Sequence, residues 1–392
     1  MVGRRESRLG RLSPWHHQHM ADYRARVRAA TDAIDALSVE IEADLDEEAG
    51  GIGWWNGHVG WKTSAQLGTY LLASCTGVAE SLRHASLVIE EHRQKEFSLN
   101  QDRIARTRLL EGRPSSVDEK IAALTAASDS ERRREDLQSV YAEHALVSLA
   151  QSLDRLAAVV ATVVGVRENV LGYDWGKLAD LAEREPRSGP TNGIRQGTLA
   201  DPGTPGRELQ HQVLSLVAAA HEHGPNDWLG WLIKSRNTAV HRAPRWSVPT
   251  MTVEKRRVSG LVSLPIAQPD WADTEAVARS SRAGSGSMFL TQAPQTIFEG
   301  LLGSVVSLTA SLAGESRRMW NARRQDPTLV IQSGASWRPM GKATLLDFPG
   351  YGAPAPIAAK EVALNQGFIR RLRAAKLMDD QVHEWELDAT SD

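Results

Sequence analysis

The segment at residues 236–241 combines residue types that can act together on a phosphate group. It begins with Arg236 and Asn237 and ends with His241. On a helix, Asn237 and His241 are four residues apart and share a face, and the long Arg236 side chain can swing toward the histidine. A neutral histidine can take the proton of a ribose 2′-hydroxyl, and a guanidinium can hold a phosphate through two hydrogen bonds. The expected chemistry is metal-free RNA cleavage, in which the 2′-hydroxyl attacks the adjacent phosphate.

Further cations surround this segment. Lys234, Arg242 and Arg245 add positive charge, and Trp231 and Trp246 flank them. A basic patch with nearby aromatic rings suits a short segment of RNA, so we predict that the three cations bind substrate. A competing interpretation needs no ligand, because basic side chains in the last turn of a helix stabilise its dipole.

The elements that must position the motif are predicted from apolar spacing. Six helices are expected before residue 245, at 20–48, 63–96, 118–127, 130–166, 205–223 and 227–242. Pro244 must end the last of them, which carries the motif. Residues 167–204 are rich in Gly, Pro, Asn and Asp, and we predict a loop insert there.

The sequence after residue 245 contains β-type patterns as well as helical ones. Strands are predicted around 251–266 and at 285–290, 329–332 and 343–348, and helices at 271–282, 294–324 and 361–376. The expected fold is therefore mainly α, with three regions. Residues 1–19 form a flexible basic arm, residues 20–245 a helical bundle, and residues 246–392 a smaller mixed α+β region of unknown role.

The motif in its helical setting resembles the R-x4–6-H motif of HEPN proteins. Arg236 followed by Asn237, a four-residue spacer, and His241 on the last helix of a bundle carry the resemblance. It covers an HEPN-like core of about 63–245, with the loop insert at 167–204. It implies a catalytic set in which His241 is the acid or base, Arg236 the phosphate clamp and Asn237 a support.

The same resemblance implies how such a protein works. HEPN proteins commonly form homodimers in which two motifs build one composite site. They are commonly endoribonucleases that need no metal or other cofactor and leave cyclic-phosphate ends. Many are toxins or phage-defence effectors, so RNA is the expected substrate and an inhibitory protein a further expected partner.

Composition limits the function classes. The net charge is −2, so no global basic field attracts nucleic acid and any RNA site must be local. A single cysteine excludes a disulfide framework and a thiolate metal cluster within one chain. No signal peptide is visible, and the apolar stretch at 300–314 is interpreted as a buried helix too short to span a bilayer. We therefore predict a cytoplasmic protein without a membrane partner.

Two other functions stay open on the sequence alone. The chain could be a non-catalytic HEPN-like scaffold that binds RNA or protein. It could also be a metal-dependent helical-bundle hydrolase, whose ligands would come from a pool of histidines: His84, His92, His144, His211 and His221.

Two further segments have more than one interpretation. The Trp-rich loop at 53–61 suits either RNA stacking or an aromatic plug over the core. The basic arm repeats the R-x4-H spacing from Arg11 to His16, but it contains Pro14 and lacks a helical setting. We therefore assign no site to the arm.

Overall fold

The computed structural model describes residues 23–45, 61–110, 127–185, 198–242, 247–254, 257–331 and 366–374, together with residues 116, 119 and 122. Helices account for 80% of these residues, which confirms the predicted mainly α class. Nine α-helices lie within the described residues: α1 (Arg28–Asp44), α2 (Trp61–Leu110), α3 (Asp129–Val164), α4 (Trp175–Arg184), α5 (Pro205–Ala218), α6 (Trp228–His241), α7 (Thr274–Arg282), α8 (Pro294–Gln325) and α9 (Gln366–Ala374). Short 3-10 turns occur at Val170–Gly172, Ala219–His223 and Ser285–Met288.

A β-hairpin follows α6. Strand β1 (Ser247–Glu254) pairs antiparallel with β2 (Arg257–Pro265), as the β-type runs around 251–266 predicted. The strand predicted at 285–290 is wrong. Gly284 has a φ of 106° and leads into the turn Ser285–Met288, and only an isolated bridge joins Phe289 to Ile266.

Only part of the secondary structure predicted for the C-terminal region falls within the described residues. Residues 329–331 form no strand, whereas the predicted strand at 343–348 lies outside the described residues. The predicted helix at 294–324 corresponds to α8, and part of the one at 361–376 is seen as α9. The sequence therefore located the helices of this region better than its strands.

The segment 167–204, predicted to be a loop, contains α4. The side chain of Asp174 caps this helix by accepting from the backbone N–H of Lys177. Trp175, Leu178 and Leu181 are buried along one side. Burial of this apolar side stabilises a short helix in a segment whose Gly and Pro content had indicated a loop. Residues 186–197 of the same segment lie outside the described part of the chain.

Helix α2 extends well beyond its predicted end at residue 96. Its last turns carry charges that are paired with the beginning of α3, where Arg134 binds Asp102 at 2.6 Å and Arg106 lies 3.2 Å from Glu131. Ser128 and Glu131 form a capping box at the start of α3, each side chain bonding the backbone N–H of the other. The ion pairs of Asp102 with Arg134 and of Arg106 with Glu131 join residues far apart in the sequence, and they explain why a charged segment without clear apolar spacing is helical.

The C-terminus of α3 is held by a buried arginine. Gly165, with a φ of 74°, ends the helix in a Schellman motif, in which the N–H of Val166 bonds the carbonyl of Ala161. Arg323 of α8 is 1% exposed and donates to the Val163 carbonyl at 2.6 Å. Burial lowers the pKa of Arg323 to about 10.

Polar contacts join helix α1 to helix α8, although the two are far apart in the sequence. Arg317 pairs with Glu40, and the Trp320 indole N–H donates to Asp44 at 2.6 Å. Arg324 lies 3.0 Å from the same aspartate. Hydrogen bonding by Arg317 and Asn321, set against desolvation by burial, leaves the pKa of Glu40 below its usual range.

The chain divides into two compact units. One comprises residues 1–29, 80–150 and 224–306, and the other residues 30–79, 151–223 and 307–392. Helices α2, α3 and α8 each contribute residues to both units. The motif on α6 belongs to the first unit.

Two of the long helices have membrane-like composition. Among the described residues, α3 and α8 each contain an apolar window long enough to cross a bilayer, and 78% and 61% of these windows are buried inside the protein. The stretch at 300–314 is part of α8. Burial of this extent suits helices of a packed core as well.

A buried histidine in the first unit makes stability depend on pH. His92 is 0% exposed and contacts the Phe298 ring edge-to-face. Its Nδ1 lies 3.3 Å from the Gln295 Oε1, and the Gln295 amide nitrogen donates to Glu299, so Nδ1 carries the proton. Burial lowers the pKa of His92, and the bond to Gln295 offsets this only in part.

We expect the free energy of unfolding to fall as the pH drops below about 6.5, the ordinary histidine pKa. In that range the unfolded chain takes up a proton that folded His92 does not. Urea unfolding at pH 7.5 and 5.5 would measure the loss, and His92→Gln should reduce it. An equal pH dependence in wild type and variant would contradict this assignment.

Candidate functional site

Helix α6 is fixed in the first unit by its buried face. Trp228, Leu232, Ser235 and Thr238 are buried, and they recur at helical spacing. The Thr238 hydroxyl donates to the carbonyl of Pro269 at 3.2 Å. The Trp231 indole N–H donates to the carbonyl of Ile266 at 3.0 Å. The segment after the hairpin, residues 266–273, therefore holds α6 in place.

The opposite side of α6 presents two rows of side chains. The first row, which we call the α6 stripe, follows the spacing i, i+4, i+7 and i+11 and consists of Gly230, Lys234, Asn237 and His241. Asn237 and His241 are exposed and Lys234 is half-buried. The structure thus places two predicted catalytic residues and one predicted substrate-binding residue along one line.

The second row, which we call the α6 flank, contains Arg236. It consists of Leu229, Ile233, Arg236 and Val240. The first three are half-buried, and Val240 is 50% exposed. At about 100° per residue, Arg236 and His241 are about 140° apart around the axis. Arg236 therefore belongs to a different side of α6 from the histidine, and apolar residues lie between them.

Two of the predicted substrate-binding cations are paired with carboxylates. Lys234 lies 3.6 Å from Asp273, and Arg242 forms an ion pair with Asp270. The backbone N–H of Ala272 and the Arg242 guanidinium hold the pKa of Asp270 below its usual range. These pairs reduce the positive charge that the sequence had indicated around the motif. The third cation, Arg245, lies outside the described residues, as does Trp246.

The end of α6 is exposed. His241 is the last helical residue, and Arg242 continues in extended backbone while its N–H bonds the Thr238 carbonyl. An exposed histidine on the last turn of a helix can reach a bound phosphate, and in its charged form it also favours the negative end of the helix dipole.

The comparisons with known proteins assign no family to this chain. No family model, curated protein or solved structure matches this sequence. The likeness to HEPN proteins therefore depends on the motif and on its place at the end of a helix, and it remains a prediction.

The histidines of the alternative metal site have separate roles. His92 is buried against Phe298, His211 contacts Glu185 at 2.5 Å, and the His221 ring lies 3.2 Å from the Ala218 carbonyl. Within the described ranges no three His, Cys, Asp or Glu side chains are grouped to hold a metal ion. Residues 53–60 of the Trp-rich loop lie outside those ranges, and Trp61 begins α2.

Sequence reasoning missed the partners of α6. Asp270 and Asp273 follow the hairpin and lie 28 and 39 residues along the chain from Arg242 and Lys234, separations at which single-sequence patterns carry no pairing information. It also missed a cavity beside the first turns of α6, which is described below.

Proposed function

We propose that this protein is a metal-independent endoribonuclease of HEPN type, with its composite site formed by two copies of α6. The observation that carries the proposal is the α6 stripe, which presents Asn237 and His241 together on a helix whose other face is buried. A catalytic group is most effective on such a rigid element, because little freedom is lost when it meets the substrate.

The chemistry requires only protein side chains. His241 takes the proton of the 2′-hydroxyl as its oxygen attacks the adjacent phosphorus. The bond from phosphorus to the 5′-oxygen breaks, and the leaving oxygen takes up a proton. The products are a 2′,3′-cyclic phosphate and a 5′-hydroxyl end. Arg236 stabilises the extra negative charge of the transition state, and Asn237 bonds the phosphate oxygens or orients the histidine.

The α6 flank supports the dimer in this proposal. Leu229, Ile233 and Val240 offer an apolar surface between Arg236 and His241. A two-fold contact uses the same patch on both chains. Packing of two such flanks would cover exposed apolar area and bring the arginine of one chain to the histidine of the other.

The biological role follows from the HEPN resemblance. A toxin or phage-defence effector that acts on RNA in the cytoplasm, held in check by an inhibitory partner, is the role we propose. Lys234 and Arg242 would then exchange their carboxylate partners for phosphates when RNA binds.

A second candidate is a non-catalytic scaffold that binds RNA or protein. The ion pairs of Lys234 with Asp273 and of Arg242 with Asp270 favour it, since they satisfy two of the cations without a ligand.

Cleavage of total RNA and tRNA in EDTA tests the proposal. We expect the purified full-length chain to release fragments with cyclic-phosphate ends, and both Arg236→Ala and His241→Ala to abolish this activity. His223→Ala, which removes a histidine outside the motif, is the matched control and should cleave like wild type.

The other outcomes point elsewhere. RNA binding without cleavage by any of the proteins would favour the scaffold. Cleavage that EDTA abolishes would favour a metal-dependent hydrolase and the histidine pool.

A further inference from the structure

A cavity of about 630 Å³ lies beside the first turns of α6 and α8. This volume falls within the range of about 300–1,000 Å³ that is usual for small-molecule sites. Trp228 and Trp231 of α6 and Ile297 and Leu301 of α8 contribute apolar surface to its wall. The cavity therefore has the size and the aromatic lining of a binding site.

Two glycines in the cavity wall have no packing role. A Cβ atom added at Gly230 or at Gly300 would meet nothing within 4 Å. Glycine inside a helix costs roughly 0.5–1 kcal/mol relative to alanine, so neither position is favoured for helix stability. Their effect is to leave helix backbone open to whatever enters the cavity.

One aromatic residue of the cavity wall has a buried polar group. Trp228 is 4% exposed, and its indole N–H is buried without a hydrogen-bond partner among the described residues. A buried polar group of this kind costs free energy unless a partner is supplied. Because this nitrogen atom has almost no accessible surface, Trp228 offers the cavity its apolar ring and not its N–H.

The polar lining is close to neutral. Lys234 and Asp227 are the charged residues that line the cavity within the described chain, and Gln268 and Gln292 add amide groups. Amides both donate and accept, and they match a flat neutral ring with ring nitrogens and carbonyls. An uncharged heteroaromatic base suits this lining better than a phosphate does.

The cavity and the motif are connected by the α6 stripe. Gly230 and Lys234 line the cavity, and Asn237 and His241 follow on the same line. At 1.5 Å per residue, Gly230 and His241 are about 16 Å apart along the axis. An extended single strand lying along the stripe can place one base in the cavity and a nearby phosphate at the histidine.

We infer that the cavity is a base-binding subsite, which receives one unstacked base of a single-stranded RNA whose backbone follows the α6 stripe. The inference rests on the proposed function, since RNA is taken to be the substrate. Lys234, at the edge between cavity and motif, contacts the intervening phosphate. Recognition of unpaired bases by aromatic side chains is how proteins commonly bind single-stranded RNA.

An abasic scan tests the subsite. A short single-stranded RNA is prepared with one nucleotide at a time replaced by an abasic ribose that keeps its 2′-hydroxyl. We expect loss of one particular base to weaken binding about tenfold to a hundredfold, the range for one base stacked on an aromatic ring. The dissociation constant is measured by fluorescence anisotropy with the His241→Ala protein, so the result does not require cleavage.

A pair of matched variants places this effect in the cavity. Gly300→Leu fills the cavity, and we expect it to weaken binding of the intact RNA and to remove the penalty at the sensitive position. Gly303→Leu makes the same change on an exposed turn of α8 outside the cavity, and it should bind like the parent protein. Circular dichroism and melting temperature confirm that both variants fold.

Three results would overturn the inference. In one, every abasic RNA binds equally well. In another, Gly300→Leu leaves the penalty at the sensitive position intact. In the third, a free nucleoside monophosphate binds as tightly as the RNA, so the cavity serves a small molecule. Absence of RNA cleavage by the wild-type protein would instead contradict the proposed function. The two failures can be told apart, because the binding measurements do not require cleavage.

Discussion

A one-to-one mixture of the Arg236→Ala and His241→Ala proteins, each inactive alone, is expected to recover about a quarter of wild-type RNA cleavage. Random pairing makes about half of the dimers mixed, and the composite site of each mixed dimer keeps one of its two Arg236–His241 pairs intact if each pair takes its arginine and its histidine from different chains. The physical reason is the separation of Arg236 from His241 around α6, with the apolar α6 flank between them.

The recovery is measured as the cleavage rate at fixed total protein after the two variants have been incubated together. Mixing each variant with wild type provides the reference for exchange of subunits. A mixture that remains as inactive as its components would show that both residues act within one chain. A Val240→Lys change in both variants should prevent recovery, because it places a charge on the proposed contact surface.

The second large effect concerns stability: Gly206→Ala is expected to lower the free energy of unfolding by about 3 kcal/mol, toward the upper end of the usual cost of overpacking. Gly206 is buried in the first turn of α5, and a Cβ there would lie 1.7 Å from the backbone oxygen of Leu329. A backbone atom cannot rotate away as the tip of a side chain can, so α5 or residues 329–330 must shift.

The measurement is the urea midpoint of unfolding. Gly303→Ala is the matched control, since it adds the same methyl group to a helix where nothing lies within 4 Å. It should raise stability by about 0.5–1 kcal/mol through helix propensity alone. Equal midpoints for Gly206→Ala and wild type would mean that α5 does not pack closely on residues 329–330 in solution.

Local signals predicted the helices well where caps and breakers mark their ends. Helix α5 begins at Pro205, as the sequence predicted, and the Thr204 side chain caps it. The long helix α8 begins at Pro294, where it was predicted to begin, and it ends one residue beyond its predicted end. These signals act within a few residues, which is why single-sequence reasoning can find them.

Two errors came from weighing such local signals wrongly. Helix α4 has its own cap at Asp174 and buried residues three apart, but the many Gly and Pro residues around it favoured a loop. The apolar residues of 285–290 indicated a strand, although an isolated strand has no partner to bond. In the structure only Phe289 forms a bridge there.

The candidate site also has features that local signals predict and features that they do not. The positions of Asn237 and His241 on one line of α6 follow from helical spacing and could be predicted. The pairing of Arg242 with Asp270 and of Lys234 with Asp273 depends on how the hairpin returns the chain to α6. The cavity likewise depends on the approach of α8, which no local pattern encodes.

The bonds between α1 and α8 have a consequence during protein synthesis. Glu40 and Arg317 are 277 residues apart in the sequence, so α1 leaves the ribosome long before its partner exists. At roughly 5–20 residues per second, the delay is about 15–55 s. Throughout that time Glu40 and Asp44 lack their α8 partners, on a helix whose Ile34, Leu37 and Ile41 are buried in the folded protein. We therefore expect ribosome-associated chaperones to shield α1 until translation is nearly complete.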